Sequence, residues 1–435
     1  MPKEKSDILL FLVVNFFQIV YMIINHVIML VVVTNMIKVK IKKKGDSMSI
    51  SKIRFKGYDN SIERKTIGDI TTSFSGGTPK SSNKTYYEGN IPFIRSGEIK
   101  SKQTELFISD EALKNSSAKM VEKGDILYAL YGATSGEVAI CQINGAINQA
   151  ILAIKPNSGY SSEFIMNYLK KEKDNILEKY LQGGQGNLSA AIVKSIELHL
   201  PSQKEQSAIG SLFRTLDDLL ASYKDNLANY QSFKSTMLSK MFPKAGQTVP
   251  EIRLDGFEGE WKTKILSEVT NITMGQSPKS ENYTDNPNDY ILVQGNADIK
   301  DNQVVPRLWT TEVTKMAEIG DIILTVRAPV GDIGKTDYNV VIGRGVAAIK
   351  GNDFIFYTLE KMKMTGFWNR FSTGSTFESI SSNDIKEAII QIPTLKEQQA
   401  IGAYFSNLDQ LISSYQDKIT QLETLKKKLL QDMFI

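Results

Sequence analysis

Cysteine and histidine are nearly missing from this 435-residue chain: Cys141 is the only thiol, and His26 and His199 are the only imidazoles. One thiol excludes an intrachain disulfide, and this inventory cannot assemble a Cys/His zinc cluster. Ser-His-Asp and Cys-His nucleophilic arrangements are excluded unless His199 serves. His199 lies in the alternating run Ile196-Glu197-Leu198-His199-Leu200, where it shares a polar strand face with Glu197 and is expected to be an ordinary surface histidine. A strong charge bias is also absent. With 52 Lys+Arg against 48 Asp+Glu, the net charge of +4 does not announce nucleic acid. Any DNA-binding claim must therefore rest on where the basic groups stand, because phosphates are neutralised by one face and not by an average.

What remains is the composition of a folded protein, with 41% apolar and 23% charged residues. The length allows about two or three domains, each with its own core. The scarce cysteine fits a reducing compartment, and a cytoplasmic location is expected. The first 47 residues stand apart. Ile8 to Ile37 is strongly apolar and is followed by Lys38, Lys40, Lys42, Lys43 and Lys44, which on hydropathy reads as a membrane helix with a positive cytoplasmic flank. The alternative, which we prefer, is that residues 1–47 are translated upstream DNA. Met48 opens the segment that aligns with the second half, and Lys44-Gly45-Asp46 can be written AAR-GGN-GAY, which accommodates a bacterial ribosome-binding sequence. Mass spectrometry of the native amino terminus separates the two.

A tandem repeat organises the remainder. Lys204 to Phe242 aligns without gaps onto Lys396 to Phe434, with 17 of 39 pairs identical. Ile53-Arg54-Phe55-Lys56-Gly57-Tyr58 matches Ile252-Arg253-Leu254-Asp255-Gly256-Phe257, and Gly76-Gly77-Thr78-Pro79-Lys80-Ser81 matches Gly275-Gln276-Ser277-Pro278-Lys279-Ser280. Gly124-Asp125-Ile126-Leu127 returns as Gly320-Asp321-Ile322-Ile323. Each unit is a diverged globular part followed by a near-identical tail.

The tails carry apolar heptads. In the first, Ile209, Phe213, Leu216, Leu220, Tyr223 and Leu227 form the seam; in the second, Ile401, Phe405, Leu408, Ile412, Tyr415, Ile419 and Leu422. Such a stripe must be buried, and the simplest burial for two equal rods is against each other as an antiparallel coiled coil. Because a whole domain lies between them, that pairing is expected to put the globular parts at opposite ends. Lys234 and Lys426 occupy one matching seam position, where a charge sets register. Phe242 to Pro250 is a linker, since Pro243 stops the helix. Short apolar runs, Ile126 to Tyr131, Glu137 to Ile140, Ala150 to Ile154, Ile322 to Val326 and Val346 to Ile349, predict strands. Ser161 to Lys179 and Phe354 to Met364 predict helices. The fold class is α+β: two mixed α/β domains separated by two long helices.

An Ile-Arg-Phe-like opening, a Gly-x-Thr/Ser-Pro-Lys-Ser loop, a Gly-Asp-Ile-Leu strand and a Pro-x-x-x-Glu-Gln-x-x-Ile-Gly junction into a heptad helix ending in Met-Phe all occur twice. From Met48 to Ile435 the chain resembles the specificity subunit of type I restriction-modification systems. The resemblance implies two target-recognition domains and two spacer helices that bind methyltransferase subunits. The expected boundaries are 48–203, helix 204–242, linker 243–251, 252–394 and helix 395–435, after a leader at 1–47. It implies double-stranded DNA, two methyltransferase subunits and, through them, restriction subunits as partners. No cofactor, metal, catalytic residue or small-molecule substrate is expected. One departure stands out: Glu63-Arg64-Lys65 is placed opposite Gly259-Glu260-Trp261, so the tryptophan that commonly opens such a domain is missing from the first half.

The two halves differ while the helices stay alike, as expected of a reader of an asymmetric two-part sequence that recruits two copies of one partner. A separation near one duplex turn, about 34 Å, would put both parts on one face of DNA. Candidate DNA contacts by residue type and loop position are Lys80, Lys84, Tyr86, Arg95 and Lys100, then Lys279, Tyr283, Gln294 and Lys300, with Arg327, Arg344 and Arg370 at strand or turn edges. Arginine and glutamine suit bases, lysine suits phosphate; taken singly, each is more often a plain surface residue. Enzymatic signatures fail. Gly331-Asp332-Ile333-Gly334-Lys335-Thr336 would need its first phosphate-loop glycine at Pro329. Asn286-Pro287-Asn288-Asp289 lacks the second proline and the aromatic of a methyltransferase motif, and reads as a turn. Two rival readings are a membrane-anchored coiled-coil scaffold and a fused restriction enzyme working alone.

Overall fold

The computed structural model describes residues 53–58, 61–181, 187–371 and 379–434, with backbone alone at 37–39 and 181. The apolar run proposed as a membrane segment lies outside the described residues, except that Ile37–Val39 pairs antiparallel with Ile53–Phe55. No helix among the described residues is long and apolar enough to cross a membrane. The chain divides into two compact units, 1–221 with 420–435, and 222–419.

Within the first unit, two four-stranded sheets form the body. One has the order Phe107–Ile108, Ile91–Ile94, Gly145–Ile147, Lys119–Val121, and the other Thr71–Ser75, Ile151–Pro156, Ile126–Ala129, Val138–Ile140. Ile126 to Ala129 is buried on both faces, so its run is continuously apolar and not alternating. A two-stranded ladder, Glu63–Thr66 with Glu197–Leu200, closes the domain. There Leu198 and Leu200 point inward while Glu197 is exposed and His199 half-buried. Burial, then the nearby Arg64, lowers the His199 pKa. The helix expected over Ser161 to Lys179 is two helices, Ser162–Lys171 and Lys173–Leu181. The first ends at Glu172, whose carboxylate accepts from Asn175 Nδ2 at 2.8 Å and so joins the first turn of the next helix.

The second unit repeats this plan with additions. Its sheets have the orders Ile272–Met274, Val346–Ile349, Ile322–Thr325, Ile333–Lys335, Gln303–Val304, Ile299–Lys300 and Tyr283–Thr284, Trp309–Thr310, Tyr290–Val293, Val340–Ile342, Met316–Ala317. In each unit a parallel pairing joins equivalent strands, Ile91–Ile94 with Gly145–Ile147 and Tyr290–Val293 with Val340–Ile342. The added hairpin Ile299–Lys300/Gln303–Val304 turns at Asp301 and Asn302, both at positive φ (49° and 61°). Asp and Asn tolerate that conformation better than other non-glycine residues. Gly331–Thr336 contains the strand Ile333–Lys335, and Lys335 pairs with Asp353. Asn286 to Asp289 forms the turn between two strands.

The two long helices are Gln203–Lys240 and Leu395–Met433. Their contacts run antiparallel in both units. In the first unit Phe213 meets Phe434 (ring centroids 5.8 Å apart), and Asp217 pairs with Lys426. In the second, Tyr223 and Tyr230 flank Tyr415 at 5.5 and 5.2 Å, Lys234 reaches Asp409 at 2.7 Å, and Phe242 lies 6.0 Å from Phe405. Ile209, Phe213, Leu216, Leu220, Tyr223, Ile401, Phe405, Leu408, Ile412, Tyr415, Ile419 and Leu422 are buried, and Leu227 is half-buried.

The recurring motifs are a set of stitches at the domain–helix junction. Glu205 and Glu397, each 1% exposed, take a guanidinium from the opening motif. Arg54 Nε donates to Glu205 at 2.9 Å, and Arg253 donates two bonds of 2.8 Å to Glu397. The next residue links two more segments. Gln206 Nε2 donates to the Pro201 carbonyl (2.9 Å) while its oxygen accepts from the Ser161 amide (3.3 Å). Gln398 Nε2 likewise donates to the Pro393 carbonyl (3.1 Å), while its oxygen accepts from the side-chain Nδ2 of Asn352 (2.9 Å). Ser161 and Asn352 are the N-caps of the helices packed there. Gly210 and Gly402 permit that packing, because a Cβ on either would lie 2.8 or 2.7 Å from the Cβ of Glu163 or Asp353. The final Met-Phe supplies the plug. Phe434 sits 5.0 Å from Phe164 in the first unit, and Phe242 sits 5.4 Å from Phe354 in the second.

Strand pairing corrects one alignment. Glu63–Thr66 and Lys262–Ile265 occupy the same ladder position, so Glu63-Arg64-Lys65 stands opposite Lys262-Thr263-Lys264, and Ile62 stands where Trp261 is. Trp261 is buried beside Phe242 and donates to Glu397 at 3.3 Å. The half-buried Ile62 offers no donor, so the first clamp lacks that third bond.

Candidate nucleic-acid interface

In each unit four segments meet at the same corner, and main-chain bonds fix their correspondence. Leu130 N–H bonds the Ala150 carbonyl (2.8 Å), as Val326 N–H bonds that of Gly345 (2.9 Å). Gly77 N–H bonds Ile147 (3.2 Å), as Gln276 N–H bonds Ile342 (2.8 Å). The Gly-x-Thr/Ser-Pro-Lys-Ser loop therefore lies on the turn entering Ile151–Pro156 or Val346–Ile349. Gly76 and Gly275 allow the approach, since a Cβ there would overlap the carbonyl of Ile147 or Gly343. By this registration Tyr131 stands where Arg327 does, Gln149 where Arg344 does, and Arg95 where Gln294 does.

The residues selected by type and loop position fall into distinct settings. Lys80 and Lys279 project, exposed, from equivalent places on the loop, and Lys84 is exposed on the short helix Lys84–Tyr87. Tyr86 is half-buried: its ring packs on the core and its hydroxyl accepts from Asn115 at 3.3 Å. Arg95 is held by Glu98 (3.0 Å) and Glu105 (2.6 Å), which raise its pKa further. Burial pushes the Glu98 carboxyl up, but Arg95 and the amides of Glu105 and Arg95 bring it down to about 2. Lys100 is tied to Glu137, which also takes Lys173; these two lysines lower its pKa to about 2.

In the second unit Tyr283 is half-buried in the Tyr283–Thr284 strand, and Lys300 is exposed at the added hairpin. The main-chain amide of Gln294 bonds Asp298 at 2.8 Å, while its side-chain nitrogen is buried without a partner among the described residues. Arg327 and Arg344 are exposed at the corner, and the Arg344 amide donates to Ser277 Oγ at 3.0 Å. Arg370 is placed elsewhere. On the short helix Phe367–Phe371 it stacks 3.8 Å over the Phe367 ring and lines a cavity of about 480 Å³ with Ser239, Pro243 and Lys361. The corner thus gathers Lys80 in one unit and Lys279, Gln294, Arg327 and Arg344 in the other.

Residue-type reasoning missed Tyr131 and Gln149. Tyr131 is half-buried, and Gln149 is exposed and accepts from the Thr78 hydroxyl. A signal existed in the repeat: Arg327 and Arg344, carried back through the strand alignment, land on these two residues.

Comparison with known proteins agrees with this architecture. A family profile described as the type I restriction modification DNA specificity domain matches residues 60–229 and 258–424. The putative type I restriction enzyme MjaX specificity subunit of Methanocaldococcus jannaschii is 27% identical over 327 residues, covering 71% of this chain and 76% of that protein. The MjaVIII specificity subunit of the same organism is 20% identical, over 84% of this chain and 90% of its own length. Among solved structures, the type I restriction-modification S subunit from M. genitalium has TM-score 0.60 at 16% identity, covering 87% of this chain and 97% of that one. Another, from work on complex assembly and conformational transition of the type I R-M system, has TM-score 0.55 at 20% identity, covering 86% and 98%. With the profile matched once in each repeat and over most of the sequence, the chain belongs to the family of type I restriction-modification DNA specificity subunits.

Proposed function

We propose that this chain reads a two-part duplex DNA sequence, one part through the loop corner of each unit. Its target-recognition regions are 48–203 and 252–394, and the repeated helices 204–242 and 395–435 receive two methyltransferase subunits, with restriction subunits joining through them. The chain performs no chemistry itself; methylation and cleavage come from those partners. One observation carries the reading: the junction chemistry of Glu205/Glu397, Gln206/Gln398 and Gly210/Gly402 is duplicated, while the polar corner side chains differ at Arg95/Gln294, Tyr131/Arg327 and Gln149/Arg344 on a loop frame that keeps Gly76/Gly275, Pro79/Pro278, Lys80/Lys279 and Ser81/Ser280. Equal surfaces suit two copies of one partner; unequal ones suit two different base sequences. Lys80 and Lys279 serve phosphate, and the amide and guanidinium groups serve bases.

The test is to co-express the chain with a cognate methyltransferase subunit and map methylated bases across a genome. A split motif with a fixed gap is the expected result. A stable, active complex that methylates nothing, or a motif without a gap, rejects the reading.

A further inference from the structure

We infer that the two units recognise different bases from one shared position: Gln149 recognises adenine in one half of the target, and Arg344 recognises guanine in the other. The inference rests on the DNA-reading proposal and goes beyond it by naming reader and base. The two residues are equivalent by main-chain registration, each on the turn beneath the Pro-Lys loop. The loop hydroxyl treats them in opposite ways. Thr78 donates to the side-chain oxygen of Gln149, whereas Ser277 accepts from the main chain of Arg344 and leaves its side chain alone.

Hydrogen-bond inventory then sets the base. A carboxamide has two acceptor lone pairs and two N–H donors. At Gln149 the Thr78 hydroxyl occupies one lone pair of the side-chain oxygen. Held at that oxygen, the exposed amide keeps its second acceptor lone pair and its N–H donors, the complement of the N6 donor and N7 acceptor that adenine shows in the major groove. Arg344 has no side-chain partner among the described residues, and Arg327 follows Val326, which is bonded to the neighbouring Gly345. A free guanidinium presents only donors, which match the paired O6 and N7 acceptors of guanine.

Geometry also sets aside the residues that type alone would choose at the next strand exit. Arg95 is held by two carboxylates, and the side-chain nitrogen of Gln294 is buried. Neither is available to a base edge without first breaking local structure.

The experiment uses the full chain co-expressed with its methyltransferase subunit in a methylation-free host, reading methylated motifs for the parent chain, Gln149→Ala, Arg344→Ala and Gln149→Arg. Gln149→Ala is expected to relax selectivity about 5- to 150-fold at one A·T pair in one half, leaving the other half intact. Arg344→Ala should relax one G·C pair in the opposite half by a similar factor, and Gln149→Arg should move the first requirement towards G·C. The untouched half reports that each variant is folded and assembled. An unchanged motif in either alanine variant, or relaxation at the other type of pair, overturns the inference while leaving the split-motif reading in place. A parent chain with no split motif overturns both.

Discussion

The two junctions and the two corners of this protein carry opposite lessons. At the junctions Arg54–Glu205 and Arg253–Glu397 are the same ion pair on the same backbone, made from residues about 150 positions apart in each unit, with Arg54 buried and Arg253 half-buried and also bonded to the Glu258 and Gly259 carbonyls. At the corners the backbone bonds are again the same, yet Gln149 and Tyr131 face Arg344 and Arg327 as their counterparts. A buried charge tolerates little change, because its loss leaves a partner desolvated and unpaired. An exposed side chain on a fixed turn can change with little effect on folding. The protein thus keeps the ion pairs of its junctions and varies exposed polar side chains on a fixed corner backbone.

The sharpest way to break this comparison is at the clamps. Glu205→Ala leaves the buried Arg54 without its carboxylate and should cost about 3–5 kcal/mol by denaturant unfolding, while Glu397→Ala should cost less, about 1–3 kcal/mol, because the half-buried Arg253 keeps its bonds to the Glu258 and Gly259 carbonyls. Glu397→Ala should also free the Trp261 indole, shifting tryptophan emission. A loss below about 1 kcal/mol at either position would show that the junction is not the conserved anchor it appears in both units.

The seam lysines test how far the two units are equal. Lys234 is 9% exposed and held by Glu360 and Asp409, both at 2.7 Å, whereas Lys426, 13% exposed, meets Asp217, which is 44% exposed. Lys234→Ala should therefore cost about 3 kcal/mol, and Lys426→Ala no more than about 1 kcal/mol. Equal losses would mean that the number and burial of the carboxylate partners do not distinguish the two positions.

Acid should separate the units more gently. Glu98 and Glu137 of the first unit sit at about 2, below the ordinary 4.5. Between those values the folded protein binds fewer protons than the unfolded chain, so their stabilisation is present above 4.5 and is lost as pH falls towards 2. In the second unit burial raises the Glu360 pKa despite Lys234. That carboxyl favours the folded state at low pH and withdraws its contribution as pH rises above its ordinary value. Trp261, Trp309 and Trp368 all belong to the second unit. On acidification from 4.5, far-UV ellipticity should begin to fall before tryptophan fluorescence changes; coincident transitions would erase the contrast.

Much of the fold is legible in local pattern. Alternation at Glu197–Leu200, continuous apolarity at Ile322–Thr325 and the heptads of both long helices each follow from one-sided or two-sided burial, which leaves a period in the sequence. The break at Glu172 is not legible, because it depends on a side-chain bond that interrupts an otherwise helical stretch. The matches Ile53/Ile252 and Gly76/Gly275 share one offset, which sets Ile62 opposite Trp261, and the ladder with Glu197–Leu200 has that same register, so the pairing of Glu63-Arg64-Lys65 with Gly259-Glu260-Trp261 fails on both counts. Residue type selected Lys80, Lys279, Arg327 and Arg344, which lie at the two corners, together with Arg370, which lies elsewhere, and it gave no reason to select Gln149.

By itself the sequence determined the repeat, the paired helices and the family, since each is written in the order and spacing of residues along the chain. Only the tertiary structure decided which side chains share a corner and which charges are already taken. Those facts depend on hydrogen bonds between residues far apart in sequence, such as Arg54 with Glu205 and Thr78 with Gln149. Spacing does not encode such bonds, because they form only when folding brings the segments together.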